Sequence, residues 1–173
     1  MSESSTVLNT SAASADAARQ FLRHTVATLA YRAGKTLRDA PATFADFALG
    51  PGTRTPLAIL THMGDLFDWG LTMAQGQTVW REATPQNWPD EVARFFANLG
   101  TFDAYLAGPA AIAPDVLEQL FQGPVADALT HTGQLALLRR RAEAPVRGEN
   151  YARAEIVTGR TGLAQAAARS EFD

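Results

Sequence analysis

The sequence predicts an all-α protein: a four-helix bundle with long connections and an irregular C-terminal tail packed on the bundle. Apolar residues recur at three- and four-residue steps in four segments, which is the spacing of helices with one buried face. No segment alternates apolar and polar residues as a half-buried strand does, and no internal repeat is present. The 173 residues, 46% of them hydrophobic, suffice for one core, so we expect residues 1–173 to form a single domain.

Composition excludes several classes of function. The net charge of −3 provides no dominant basic surface, so we expect no nucleic-acid partner. The absence of cysteine excludes disulfides, thiolate catalysis and cysteine metal ligands. The first ten residues lack the apolar core of a secretory signal, and no run approaches the roughly 18 apolar residues of a membrane span. We therefore expect a cytoplasmic protein without a membrane partner.

The chain starts with a polar segment followed by the first helix. Met1–Ser14 is rich in serine, threonine and alanine, and we expect it to be poorly ordered, as a frayed start or as a helix lead-in. Helical spacing begins at Ala15 and continues to about Leu37. His24 lies beside the apolar stripe and is expected to be partly exposed or packed rather than a ligand. The predicted stripe consists of Ala18, Phe21, Leu22, Thr25, Leu29 and Ala33.

The second helix is predicted over Pro56 to about Ala74. It follows a proline- and glycine-rich connection, Asp39–Thr55, which ends on a residue suited to cap a helix that begins with proline. Gly64 and Gly70 within the helix cost about 1 kcal/mol each relative to alanine. Their presence predicts the close approach of another helix or of a ligand.

The third helix is predicted over Pro89 to about Leu106. A long polar link, Gln75–Pro89, precedes it and carries Trp80. We interpret the aromatic and aliphatic residues of this helix as core residues because they recur at helical spacing. A short helical piece, Asp115–Phe121, follows after a break rich in glycine and proline.

The fourth helix is predicted within Gly123–Arg141. Gly123–Pro124 is read as a turn that leads into the first helical position. Arg139–Arg141 complement the dipole at the C-terminal end, on a solvated face. In the tail after Pro145, we expect a helical turn within Leu163–Arg169. Burial is expected for Tyr151, Ile156 and Val157.

Three side chains on the second and fourth helices form a candidate metal site. Asp127 and His131 are four residues apart and therefore lie on one helix face, and His62 lies on the second helix. Metal sites in helical bundles are built from such inward-facing side chains. Three protein ligands with open positions are typical of a catalytic site. The two-histidine, one-carboxylate set suits zinc, our first choice, and also nickel, iron or manganese.

The same residues allow an interpretation without a metal. A histidine on an apolar helix face is usually a hydrogen-bonded core residue. Asp127 also lies in the first turn of its predicted helix, where a negative charge stabilises the helix dipole. Asp127 and His131 would then form a buried hydrogen-bonded pair.

Two further residues are candidates for catalytic roles. Asp65, one turn from His62, is a candidate outer-shell acceptor, extra ligand or proton shuttle, or else a solvated position. Gln134, one turn beyond His131, is a candidate hydrogen-bond partner of a ligand or of a metal-bound water, or else of a backbone carbonyl in the tail. Asp68 lies too far around the helix to share the metal directly.

Two segments resemble the helices of the DinB-like superfamily of four-helix bundles, which includes the YfiT-type metalloenzymes. They are LAILTHMGDLFDW, at Leu57–Trp69, and GPVADALTHTGQLALLRR, at Gly123–Arg140. The family takes one metal ligand from the second helix, matched here by His62. It takes two more from a later helix, usually histidines four apart and followed by Gly-Gln. His131 matches the second of these, and Asp127 stands in place of the first.

The resemblance implies a metal-dependent hydrolase or a transferase of low-molecular-weight thiols, as in the bacillithiol and mycothiol transferases of this fold. A divalent ion would activate water or the thiol, so the expected partner is a small-molecule substrate or thiol. Aspartate in place of histidine lowers the site's charge by one and makes a metal-bound water less acidic. The resemblance and apolar exterior residues also favour a homodimer. The alternative function is a non-catalytic metal- or small-ligand-binding protein of the stress response.

Overall fold

The protein is mostly helical, which confirms the predicted all-α class. A computed structural model describes residues 3–173, with the side chains of residues 14–173. Residues 1 and 2 of the segment expected to be poorly ordered lie outside the described residues, and the first helix begins at Glu3. The helices are α1 (Glu3–Leu37), α2 (Pro56–Ala74), α3 (Trp88–Ala107), α4 (Pro114–Leu120) and α5 (Ala126–Arg141).

The helices share one apolar core. α1 contacts α3 and α5, α2 contacts the same two helices, and α4 contacts α1 and α2. The six residues at helical spacing on the third helix are all buried in α3, which confirms their interpretation as core: Val92, Phe95, Phe96, Leu99, Phe102 and Leu106. Within residues 3–173, no helix is both long and apolar enough to cross a membrane. The largest fully buried apolar side chains include Leu29, Leu60, Phe67, Phe95, Phe102 and Leu135.

The buried face of α1 differs from the predicted stripe. Phe21 is 68% exposed, whereas its neighbour Leu22 is buried. The prediction for Phe21 is wrong because three- and four-residue steps fit two adjacent stripes, and only the neighbouring helices select one. His24 is exposed on this helix, as expected. The observed core face consists of Leu22, Val26, Leu29, Ala30, Ala33 and Leu37.

Helix α2 begins and ends as predicted, and its glycines are sites of helix contact. The Thr55 side chain accepts a hydrogen bond from the backbone N–H of Ala58 and so caps the helix. A Cβ atom on Gly64 would lie 2.7 Å from Cζ of Arg94 in α3. Of the two alternatives for the glycines, the structure therefore supports close approach of a neighbouring helix.

The predicted turn at Gly123–Pro124 is wrong. A π-helical turn, Phe121–Val125, joins α4 directly to α5, and Pro124 is buried inside this continuous helix. Proline removes one helical hydrogen bond, and its ring crowds a regular α-helix, whereas the wider π turn accommodates the ring. Glycine and proline therefore mark a register shift here rather than a helix start.

Arg139 is buried, so the expected solvated face is wrong for this residue. Its guanidinium donates to backbone carbonyls at the end of α1, in the following connection and beyond α5. Desolvation by burial lowers the pKa of Arg139. These contacts tie the two helix ends together. The accepting carbonyls belong to Thr36, Arg38, Asp39 and Ala144.

The tail packs on the helices and adds only a short 3-10 helix, Tyr151–Arg153. Two short antiparallel strands, β1 (Gly148–Glu149) and β2 (Glu171–Phe172), pair within it, and the expected helical turn in Leu163–Arg169 is wrong. Tyr151 and Ile156 are half-buried, but Val157 is 44% exposed, contrary to the expectation of burial. Polar contacts therefore hold the tail in addition to these partly buried side chains.

Glu149 makes the polar contacts that hold the tail on α1. Its buried carboxylate accepts hydrogen bonds from Tyr31 at 2.8 Å and from Lys35 at 2.9 Å, and Lys35 also donates to Glu171 at 2.6 Å. Burial by itself raises the pKa of Glu149, but the hydrogen bonds from Lys35 and Tyr31 outweigh burial and lower the pKa overall. Burial, followed by the hydrogen bond to Glu149, raises the pKa of Tyr31 to about 12. The ionised carboxylate therefore holds the tail on α1.

We expect Glu149→Gln to lower the free energy of unfolding at pH 7 by about 2 kcal/mol, the scale of a hydrogen bond to a charged group. Because the folded pKa is lowered, this stabilisation is present above the unfolded pKa of about 4.3 and is lost as the pH falls through the folded value. Denaturant titrations of both proteins between pH 7 and pH 3 measure the difference. Glu171→Gln, at the more exposed partner, should cost less. If the difference in unfolding free energy between wild type and Glu149→Gln does not narrow in acid, the assigned role of Glu149 is wrong.

Candidate metal centre

The structure brings the three predicted metal ligands together. His62 projects from α2, and Asp127 and His131 project from successive turns of α5. Their donor atoms all lie within 4.8 Å of one another. Nε2 of His62 lies 3.3 Å from Oδ2 of Asp127, and Nε2 of His131 lies 3.4 Å from Oδ1 of the same carboxylate.

These separations fit the coordination sphere of a divalent metal ion. Tetrahedral bonds of about 2.0–2.2 Å place neighbouring donor atoms about 3.3–3.6 Å apart. Both nitrogen–oxygen separations, 3.3 and 3.4 Å, match that value. They are longer than the roughly 2.7–3.2 Å of a well-formed N–H···O hydrogen bond. The spacing therefore fits a shared ion, and the His62–Asp127 pair also lies within hydrogen-bond distance.

Gln134 orients one of the imidazoles. Nδ1 of His131 donates to Oε1 of Gln134 at 2.8 Å. Because an amide oxygen only accepts, this bond places the proton on Nδ1 and leaves the lone pair of Nε2 directed at Asp127. Of the roles considered for Gln134, the structure provides the hydrogen bond to a candidate metal ligand.

Close packing between α2 and the π turn places Asp127 near His62. A Cβ atom on Gly70 would lie 3.1 Å from Cγ of Pro124, and one on Gly123 would lie 3.3 Å from Cζ3 of Trp69. Larger side chains at either glycine would separate the two helices. The π turn also shifts the register of α5, and such turns occur frequently at functional sites.

Aromatic rings cover one side of the cluster. The ring of Trp80 lies 5.6 Å from that of His62, and it meets Trp69 edge-on at 5.8 Å. The imidazoles of His62 and His131 are perpendicular, with centroids 5.0 Å apart. Sequence reasoning did not assign Trp80 to the site. A tryptophan within a long polar connection was the available signal, because such a ring needs a surface to pack on.

Asp65 lies beside the site but is bound to other groups. Its Oδ1 accepts from Arg94 at 2.8 Å, and its Oδ2 accepts from the backbone N–H of Ala83 at 3.3 Å. Arg94 also donates to buried Glu91, which accepts from the backbone N–H of Gln86. This network attaches the connection that carries Trp80 to α2 and α3. Asp65 is buried, so the solvated position considered for it is wrong. The structure assigns it a structural contact, and its catalytic role stays a prediction.

Cavities flank the cluster on two sides. One, of about 230 Å³, is lined by His62 and Trp80 together with the charged residues Arg54, Asp65 and Glu82. The other, of about 460 Å³, is lined by Asp127 and by mainly apolar residues of α2, the π turn and α5. The side chains of His62, Asp127 and His131 are 23%, 44% and 11% exposed, so a small molecule can reach the donor atoms.

Comparisons of the chain with protein-family models, curated proteins and solved structures gave no match. The function must therefore be inferred from the donor set, its spacing and its surroundings. Two neutral imidazoles and one carboxylate carry a charge of −1 and would leave a divalent ion with a net charge of +1. That charge favours an anionic group in the remaining coordination positions.

We expect Asp65→Asn to lower the free energy of unfolding by about 2 kcal/mol, because the guanidinium of Arg94 then loses its charged partner at the buried Asp65. Asp68→Asn is the matched control on the same helix. Its ion pair with Arg81 is exposed and should contribute no more than about 0.5 kcal/mol. Denaturant titration monitored by tryptophan fluorescence measures both. Equal losses in the two variants would contradict the assigned network.

Proposed function

We propose that this protein is a metal-dependent enzyme with a four-helix bundle of the DinB-like type. The donor set of His62, Asp127 and His131 carries the proposal, because three side chains from two helices meet at the spacing of a coordination sphere. Contacts of α1 and α2 with both α3 and α5 support the bundle. The resemblance of Leu57–Trp69 and Gly123–Arg140 to family helices supports the class.

A divalent ion held by these residues would supply Lewis-acid chemistry, lowering the pKa of a water molecule or a low-molecular-weight thiol. Zinc is the first choice for the nitrogen and oxygen donors, with nickel, iron and manganese as the other candidates. Asp127 adds a charged oxygen donor, which favours harder metals than three imidazoles would. The proposed reaction is hydrolysis or transfer of the thiol to an electrophile.

Residues of the chain would prepare this chemistry. The Nε2 atoms of both imidazoles lie beside the Asp127 carboxylate, so that one ion would contact all three donors. Gln134 accepts a hydrogen bond from Nδ1–H of His131, which fixes the tautomer of this imidazole. The same bond makes Nε2 a better electron-pair donor to a metal ion. Trp80 shields His62 on one face, and the two cavities leave room for substrate on either side.

We expect His62→Ala and His131→Ala each to lose bound zinc, because two donors do not retain an ion that three hold. The matched control is His24→Ala, which removes the remaining histidine at an exposed position of α1. Elemental analysis of untagged proteins measures the zinc per chain. A chelator should lower the melting temperature of the wild type and of the control only.

Retention of zinc in His131→Ala would contradict the ligand assignment. Equal melting temperatures of zinc-free and zinc-treated wild type would instead support the interpretation without a metal, in which Asp127 and His131 form a hydrogen-bonded pair. The two outcomes are distinguishable because the first concerns the location of the ion and the second concerns whether any ion binds.

We expect the zinc-loaded protein to turn over activated esters, or electrophiles together with a low-molecular-weight thiol, and to lose this activity on chelation. Product formation with a thiol panel measures the rate, and His24→Ala again serves as the control. Retained zinc without turnover for any substrate would favour the alternative, a non-catalytic metal- or small-ligand-binding protein. Homodimer formation stays a prediction.

A further inference from the structure

We propose that the cavity beside Asp127 binds an uncharged aromatic or branched aliphatic substituent of the substrate that reacts at the metal centre. We call it the apolar cavity and define it by Leu66, Trp69, Gly123, Ala126, Asp127 and Thr130, with Gln122 at the same surface. This inference rests on the proposed function and names the substrate class for that site.

The size and lining of the apolar cavity favour this ligand chemistry. Its volume of about 460 Å³ falls within the range of about 300–1,000 Å³ that is usual for small-molecule pockets. Asp127 is the charged member of its lining, and it faces the two histidines, so the other walls offer carbon, the Thr130 hydroxyl and the neutral Gln122 amide. An anionic substituent would lie beside the Asp127 carboxylate and gain no cationic partner from these walls.

The second cavity has more charged residues in its lining, which gives the site two different sides. Arg54, Asp65 and Glu82 line the smaller space beside His62. Charged and hydrogen-bonding parts of a substrate or thiol would be solvated better there. The metal ligands lie between these spaces, because His62 lines one of them and Asp127 lines the other.

The wall of the apolar cavity is rigid. Trp69 packs closely against the backbone of Gly123 in the π turn and edge-on against Trp80, so its ring is held from two directions. Leu66 is buried beneath it. A pre-formed apolar wall lowers the entropic cost of binding an aromatic group, because few side chains need to be ordered.

The test compares two zinc-binding probes that differ only in their substituent, acetohydroxamate and benzohydroxamate. Isothermal titration of the zinc-loaded protein should give about tenfold or greater preference for benzohydroxamate, because its ring removes apolar surface from water in the cavity. Zinc content is measured on each protein before and after titration.

Two variants place larger side chains in the apolar cavity, and a third places one in the cavity beside His62. Ala126→Leu and Thr130→Leu should reduce the preference to about twofold or less while zinc content is unchanged. Thr130 is exposed, so that variant carries little risk to folding. Ala58→Leu, in the cavity beside His62, is the matched control and should retain the preference.

Equal affinities of the two probes for zinc-loaded wild type would overturn the proposal that the apolar cavity binds the substituent, and would leave the proposed metal centre standing. A preference that survives both Ala126→Leu and Thr130→Leu would also overturn it, because the ring would then bind elsewhere. Failure of the wild type to bind zinc would overturn the proposed function and this inference together.

Discussion

The candidate site depends on the close contact between α2 and the π turn. Gly70 receives the ring of Pro124, and Gly123 receives the ring of Trp69, so each helix fills a gap that the other leaves. This reciprocal packing sets the distance from His62 to Asp127, which is short enough for one carboxylate to face both histidines. A larger residue at either glycine would act on the donor geometry without touching a donor atom.

Two arginines, the half-buried Arg94 and the buried Arg139, connect the elements around that contact. Arg94 connects Asp65, Glu91 and the segment that carries Trp80, so it determines how the aromatic cover lies over His62. Arg139 binds carbonyls at the ends of α1 and α5 and thereby fixes the helix that carries Asp127 and His131. Both guanidiniums satisfy several acceptors at once, which offsets the cost of burying their charge.

Local patterns were sufficient for most of the helices and for placing Asp127 and His131 of the candidate metal site on one helix face. The cap at Thr55 and the apolar period defined α2, and the period alone defined the core face of α3. Asp127 and His131 share a face because helical geometry places residues four apart one turn from each other. Pairing them with His62 rested on the inward-facing positions of both helices and, more strongly, on the resemblance of these helices to the DinB-like superfamily.

The sequence by itself thus determined the helical class, the bounds of α2 and the three donors that meet. The tertiary structure alone decided which stripe of α1 is buried, that Asp65 pairs with Arg94, and that Arg139 lies inside. It also decided the continuity of the helix through Pro124, where sequence signals favoured a turn. The physical reason is common to all four: each depends on a partner from another element, and helical period and residue type describe only one element at a time.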